Sequence, residues 1–307
     1  MASPAAPAFA ASAFATEADA ASDADASDTA SDTASDTASE SASDTAPSAE
    51  PIPVRSPLPD GLAGRTALIL GGSSGIGLAA ARLLLGVGAR PVLVSRDEGR
   101  LRAAAEGLGE PVRTFAADVT DEERLAEVWD AVGEVDHVLV TATDFFGPSP
   151  LATTGREAAE KAMAVRLWGA YAAARVAGAR LAPGGSITYL SGTLVTRPMP
   201  GAAASLAGAG AVEVLSRSLA VELAPRRIRV NVLRSGPTDT PLLRQIALGD
   251  RSATGEEAEA ALARAGAALP LGRFGTADEA AAAALFLMSN PFATGSVLTL
   301  DGGHSLA

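Results

Sequence analysis

Three glycines and an arginine carry the first chemical signal in this chain. Gly71, Gly75 and Gly77 lie in "LGGSSGIG" (70–77), directly after the apolar run 65–70 and at the opening of a helix-patterned stretch. Glycine permits a tight turn and close backbone approach, so this segment can rest a pyrophosphate on the free N–H groups of a helix N-terminus. Eighteen residues past Gly77 the next apolar run ends at Ser95 and Arg96. An acidic residue there would accept hydrogen bonds from a ribose 2′-hydroxyl. Serine followed by arginine leaves room and positive charge for a 2′-phosphate, which favours NADP over NAD. Other chemistries are excluded by composition. The chain has no cysteine, hence no disulfide, no thiolate nucleophile and none of the usual structural zinc sites. Its two histidines, His137 and His304, are far apart in sequence, and no metal is expected.

These residues need a scaffold, and the hydrophobic pattern supplies one. Apolar runs at 65–70, 90–95, 112–118, 136–142, 185–191 and 228–234, with a last one in "GSVLTLDGG", alternate with helix-patterned stretches. One such helix is expected across Arg156 to Leu181, and another covers "AASLAGAGAVEVLSRSLAVEL" (203–223). Nearly continuous apolar strands joined by helices imply a parallel sheet covered on both faces. The expected fold is therefore α/β: a single doubly wound, Rossmann-like domain with a seven-stranded parallel sheet, spanning 61–307. Ligands of such sheets sit beyond the carboxyl ends of the strands, which is where the glycine turn and Ser95-Arg96 fall.

Residues 1–60 are a different material. They hold eleven acidic residues against one basic, Arg55, so most of the net charge of −12 belongs to this segment and says little about partners of the rest. Built from Ala, Ser, Asp and Thr with a recurring "SDTA", it has little to bury and is expected to be a disordered acidic tail, joined through the Pro-rich linker 51–60. It fits neither a signal nor a transit peptide, and no long uninterrupted apolar run suggests a membrane span. A soluble cytoplasmic protein is expected, with no membrane and no nucleic-acid partner, since the folded part is slightly acidic.

From 61 to 307 the chain resembles the short-chain dehydrogenase/reductase family. "ALILGGSSGIG" is similar to that family's cofactor turn, with Leu70 where Thr is usual. "ADVTDEE" (117–123) resembles its adenine-side segment, and "RVNVLRSGPTDTPL" (229–242) its nicotinamide-side segment, with Ser235 in place of Pro. The end, from Gly272 through Arg273, Thr294, Asp301 and Gly303, is like the family's C-terminal signature. The resemblance implies a nicotinamide dinucleotide held at Gly71, Ser73, Ser74, Gly75, Ile76 and Gly77. Ser95 and Arg96 would face the adenosine ribose, and Asp118 and Val119 the adenine. Thr141, Ala142 and Thr143 follow the fourth strand, and Gly236, Thr238 and Thr240 the sixth. It also implies a small-molecule carbonyl or alcohol substrate and a homodimer or homotetramer.

The family's proton relay is a different matter. Its pattern has an Asn, a Ser, and a Tyr four residues before a Lys, the Lys lowering the phenol's pKa. Here Ser205 stands at the Tyr position, Ala209 at the Lys position and Arg166 at the Asn position. Gly192 lies thirteen residues before Ser205, with Ser191 beside it. The single lysine, Lys161, follows Glu157, and the tyrosines are Tyr171 and Tyr189, so no Tyr-x-x-x-Lys pair exists in this sequence. Four residues are candidates to replace it. Ser191 and Ser205 would act as hydrogen-bond donors to the substrate oxygen, Arg166 as a positive charge or a receptor for an anionic substrate group, and Asp144 as an acid. Two readings stay open: an oxidoreductase on a small, apolar substrate with a non-standard relay, or a dinucleotide-binding sensor, scaffold or partner subunit without turnover. The small residues 202–211 also suit close approach of a neighbouring helix.

Overall fold

The computed structural model describes residues 56–144, 147 and 149–307; the acidic tail lies outside them up to residue 55. Seven parallel strands form one sheet: β1 (Thr66–Leu70), β2 (Arg90–Ser95), β3 (Arg113–Ala116), β4 (His137–Val140), β5 (Ser186–Gly192), β6 (Arg229–Ser235) and β9 (Val297–Leu300), in the order β3-β2-β1-β4-β5-β6-β9. The order reverses direction between β1 and β4, the switch point where a doubly wound sheet opens a crevice. Leu70 is in register with Val94 of β2 and Val140 of β4. Gly71, Ser95 and Thr141 therefore emerge side by side at one edge. A two-residue pair, β7 (Thr238–Asp239) with β8 (Gly275–Thr276), adds a small second sheet that the sequence pattern does not announce.

Helices cover both faces because the central strands are apolar on both. On one side α1 (Gly75–Gly86), α2 (Glu98–Leu108) and α9 (Ala277–Ser289) bury Leu84, Leu101 and Leu285 against Ile69 and Leu93. On the other, α3 (Glu122–Val132), α5 (Gly169–Arg180) and α6 (Ala203–Leu223) bury Trp129, Val176 and Val212 against Val138, Ile187 and Val230. The region after β6 folds into α7 (Pro241–Leu248) and α8 (Glu256–Gly266) with its own small cluster around Leu243, Leu262 and Phe274. One helix, Ala203–Arg226, is long and apolar enough to cross a membrane by length and composition alone. Here it packs on β5 and β6 and carries the buried Glu213.

The expected single helix over 156–181 is interrupted. It begins as α4 (Arg156–Met163), widens into a π-helical turn at Ala164–Trp168, and continues as α5. A π turn inserts one residue per turn and rotates everything near it, a distortion common at functional sites. Arg166 lies in its middle.

Candidate active site

The glycine turn is built by close packing. Gly71 has a φ of +99°, a region L side chains avoid, and a Cβ there would lie 2.6 Å from the Ala142 backbone nitrogen. A Cβ on Gly77 would lie 2.6 Å from Thr141 Oγ1 and collide with the Gly71 carbonyl. Glycine at these positions lets α1 start directly above the end of β1. No side chain caps that start: Ser74 stands at the N-cap without a hydrogen bond to the helix. The uncapped N–H groups and positive end of α1 face a cleft lined by Ser73, Ser74, Gly75 and Ile76. Ser73 Oγ donates to Ser95 Oγ at 3.0 Å, tying the turn to the end of β2.

The same cleft continues to Val119 on one side and to Thr141, Ala142 and Thr143 on the other. Val119 is buried against Gly169, where a Cβ would come within 2.6 Å of its methyl. Asp118 turns its carboxylate back onto Thr120 at 2.7 Å. Arg96 Nη2 donates to Asp144 Oδ1 at 2.6 Å and its Nη1 lies 3.8 Å from Asp118 Oδ2. Two further arginines line this cleft that the sequence reading did not select, Arg100, paired with Asp97, and Arg251. A donor set of helix N–H groups and arginines fits the phosphates of a dinucleotide.

A second, mostly apolar cavity of about 230 Å³ adjoins the first. The two share Ile76, Thr143, Asp144, Leu190, Thr240 and Leu242. Thr240 caps α7, accepting from the Leu243 N–H at 3.3 Å. Thr238 shares a hydrogen bond with Ser235 at 2.8 Å, while Gly236 is held against Asp301, where a Cβ would meet the backbone at 2.5 Å. Arg166, Ser191, Gly192 and Ser205 all line this second cavity. Neither tyrosine does: Tyr189 is buried, its hydroxyl on the Ala170 carbonyl and its pKa raised by burial, and Tyr171 is exposed against Trp168.

Hydrogen bonding separates the candidates. Ser191 Oγ donates its only proton to Glu213 Oε1 at 2.8 Å, and Glu213 in turn takes both arms of Arg234, at 2.9 and 2.5 Å. Ser205 Oγ donates to the Ala202 carbonyl at 3.1 Å. Asp144 is engaged by Arg96. Two groups have no such partner. Among the described residues, Thr143 Oγ1 is a buried hydroxyl without a hydrogen bond and Arg166 has no hydrogen bond or ion pair; burial holds the Arg166 pKa below the usual guanidinium value. His304 also lines the cavity, with Nδ1 3.1 Å from Thr193 Oγ1, and burial lowers its pKa. Glu213 and His304 were missed from sequence, although a lone glutamate inside "AVEVL" on a buried helix was a signal.

A glycine turn at the switch point of a parallel sheet, opening into an apolar pocket, fits a dinucleotide-dependent oxidoreductase. Residues 71–305 match the profile of the family described as Enoyl-(Acyl carrier protein) reductase, and the chain belongs to the short-chain dehydrogenase/reductase family of NAD(P)-dependent enzymes. It is 35% identical over 256 residues to galactitol 2-dehydrogenase (L-tagatose-forming) of Cereibacter sphaeroides, covering 80% of this chain and 96% of that one. It is 32% identical over 247 residues to carbonyl reductase family member 4 of Danio rerio, covering 79% and 98%. A short-chain oxidoreductase structure from Pseudomonas aeruginosa PAO1, described as containing an atypical catalytic center, superposes with a TM-score of 0.72 at 31% identity, covering 80% and 99%.

Proposed function

We propose that this protein uses NADP(H) to interconvert a small, apolar-bodied carbonyl compound and its alcohol without a tyrosine acid. The observation that carries this is the continuity of the two cavities, from Arg96 past the α1 N-terminus to Thr143 and on into the apolar pocket lined by Leu190, Leu206 and Ile246. A bound nicotinamide supplies the hydride. The chain's own part is to hold the substrate oxygen beside it. Thr143 is the group for that task, because the residue lines both cavities and its hydroxyl, shielded in this structure, has no partner among the described residues, so that a turn about χ1 can present it to a substrate. Ser191 and Ser205 offer oxygens whose protons are already donated, so they serve as acceptors for a substrate hydroxyl. Charge building on the reacting oxygen is met by a preorganised donor, and its proton comes from water.

Arg96 and the absence of an acidic residue at the end of β2 support the preference for NADP. Titration of the full chain with NADPH and NADH by fluorescence tests it: Arg96→Asp should weaken NADPH by more than about tenfold and NADH much less, and equal loss for both defeats the preference. No saturable binding of either nucleotide defeats the reading as a whole. Nucleotide binding without turnover over a broad panel of carbonyl compounds would favour the non-catalytic alternative. A homodimer or homotetramer belongs to the same proposal. Exposed Trp168, Tyr171, Val214 and Val221 on α5, α6 and the π turn give a second copy an apolar face to cover.

A further inference from the structure

We infer that Arg166 is the receptor for a carboxylate or similar anion carried by the substrate, so that the pocket takes oxo or hydroxy acids whose body is apolar. This rests on the proposed function for the identity of the pocket and adds the class of molecule that fills it.

Four observations carry the inference. First, Arg166 lines the apolar cavity and makes no hydrogen bond or ion pair with the protein among the described residues. The side chain is half-buried, so its guanidinium is only partly shielded from water, and an anionic ligand presenting two oxygens is the group that matches its planar fork. Second, the carboxylates near the pocket are neutralised by other arginines: Asp144 by Arg96 and Glu213 by Arg234. His304 lines the pocket too, and the burial that lowers its pKa favours its neutral form, so Arg166 is the charged group of the pocket lining without an ion partner among the described residues. Third, position separates its task from that of Thr143. Thr143 lines both cavities and so stands where the reacting oxygen must be, whereas Arg166 lines the second cavity alone. A group set back from the junction meets a second substituent of the substrate. Fourth, the local build is specific to a long side chain. The π turn carries Arg166 beside Gly208 of α6, whose absent Cβ would lie 3.5 Å from the Arg166 Cβ, and Ala209 adds no bulk. The bare half of α6 is what leaves space for the arginine.

Binding needs no turnover, so calorimetry on the full chain tests this directly, with hexanoate and hexanamide as probes of matched shape in chloride-free buffer at neutral pH. Hexanoate should bind at least about tenfold more tightly than hexanamide. Arg166→Met should remove that difference and Arg166→Lys should keep part of it, since lysine retains the charge without the planar fork. Equal binding of the two probes to the unaltered protein overturns the inference, whatever the variants do. So does an undiminished preference in a folded Arg166→Met protein. A parallel NADPH titration distinguishes the failures: nucleotide binding with no anion preference sinks the anion receptor and leaves the oxidoreductase reading standing.

Discussion

Replacing Asp144 by asparagine separates two tasks that this carboxylate has been given, acid and arginine partner. In the structure it holds Arg96 at 2.6 Å, with the two side chains 27% and 50% exposed. A 2′-phosphate that is to take the fork of Arg96 must first displace Asp144. Solvent-exposed ion pairs of this kind are worth about 0.2–1 kcal/mol, and removing the competitor should therefore tighten NADPH by about 1.4- to 5-fold. NADH has no 2′-phosphate and should change by less than about twofold. The gain should shrink as salt is raised, because the charges lie at the surface. Fluorescence titration of Asp144→Asn with both nucleotides at two ionic strengths gives the answer. Weaker NADPH binding would mean that Asp144 orients Arg96 instead of competing for it; equal tightening of NADH would mean that Arg96 does not meet the phosphate. The rate gives an independent reading. If Asp144 were the proton donor, its loss should cost about 100-fold or more in kcat, whereas an arginine partner should leave kcat within a few-fold.

The other predictions concern single groups. Thr143→Val keeps the shape and removes an unpartnered buried hydroxyl, so thermal stability should hold or rise while kcat falls by about 100-fold; unchanged kcat in a carbonyl reduction assay would remove Thr143 from the chemistry. Glu213→Ala strands Arg234 and the Ser191 donor in a site where the glutamate side chain is 5% exposed. It should cost about 3–5 kcal/mol by urea unfolding, with much of the loss recovered by adding Arg234→Met; a cost below about 1 kcal/mol would refute the pair's structural role. Burial, reinforced by Arg229 and Arg65 and opposed by Asp136, pushes the pKa of His137 down to about 4. The unfolded chain takes up that proton near 6.5 and the folded chain does not, so this group's contribution is complete above about pH 6.5 and is lost as pH falls towards 4. His137→Asn should flatten the stability profile across that window, and an unaltered slope would contradict the assignment.

The fold was legible because each strand declares itself twice, by apolar content and by the glycine or polar residue that ends it. The cofactor cleft inherits that clarity, since its residues are the ones that follow strand ends. Gly71, Ser95 and Thr141 needed only the parallel register to fall side by side. The catalytic half was harder to read because direction there depends on details that composition does not carry. Ser191 has the right type, but within β5 it alternates in phase with Ile187 and Tyr189, which face the α5/α6 layer, and its hydroxyl goes to Glu213. Strand parity could have revealed this. The π turn could not have been foreseen: nothing in "MAVRLWG" breaks helical periodicity, and the extra residue is accommodated by packing against α6.

That packing links three departures from the family pattern into one event. Gly208 brings α6 so close to the π turn that a Cβ would stand 3.3 Å from the Met163 Cα. Ala209 leaves the lysine position without a side chain, and Ser205 leaves the phenol position short. Arg166, Ser205 and Ala209 all line one cavity, with the Arg166 Cβ packed towards Gly208. A lysine restored at 209 would add a second cation to the cavity that Arg166 already lines, and a tyrosine at 205 would lie with it along the same helix face. The arginine and a tyrosine-lysine pair at these positions would therefore share one cavity. If Arg166 receives an anion as proposed, losing the phenol and gaining that receptor belong to one change of site design, in which catalysis by a tuned acid gives way to binding energy and an unpaired hydroxyl.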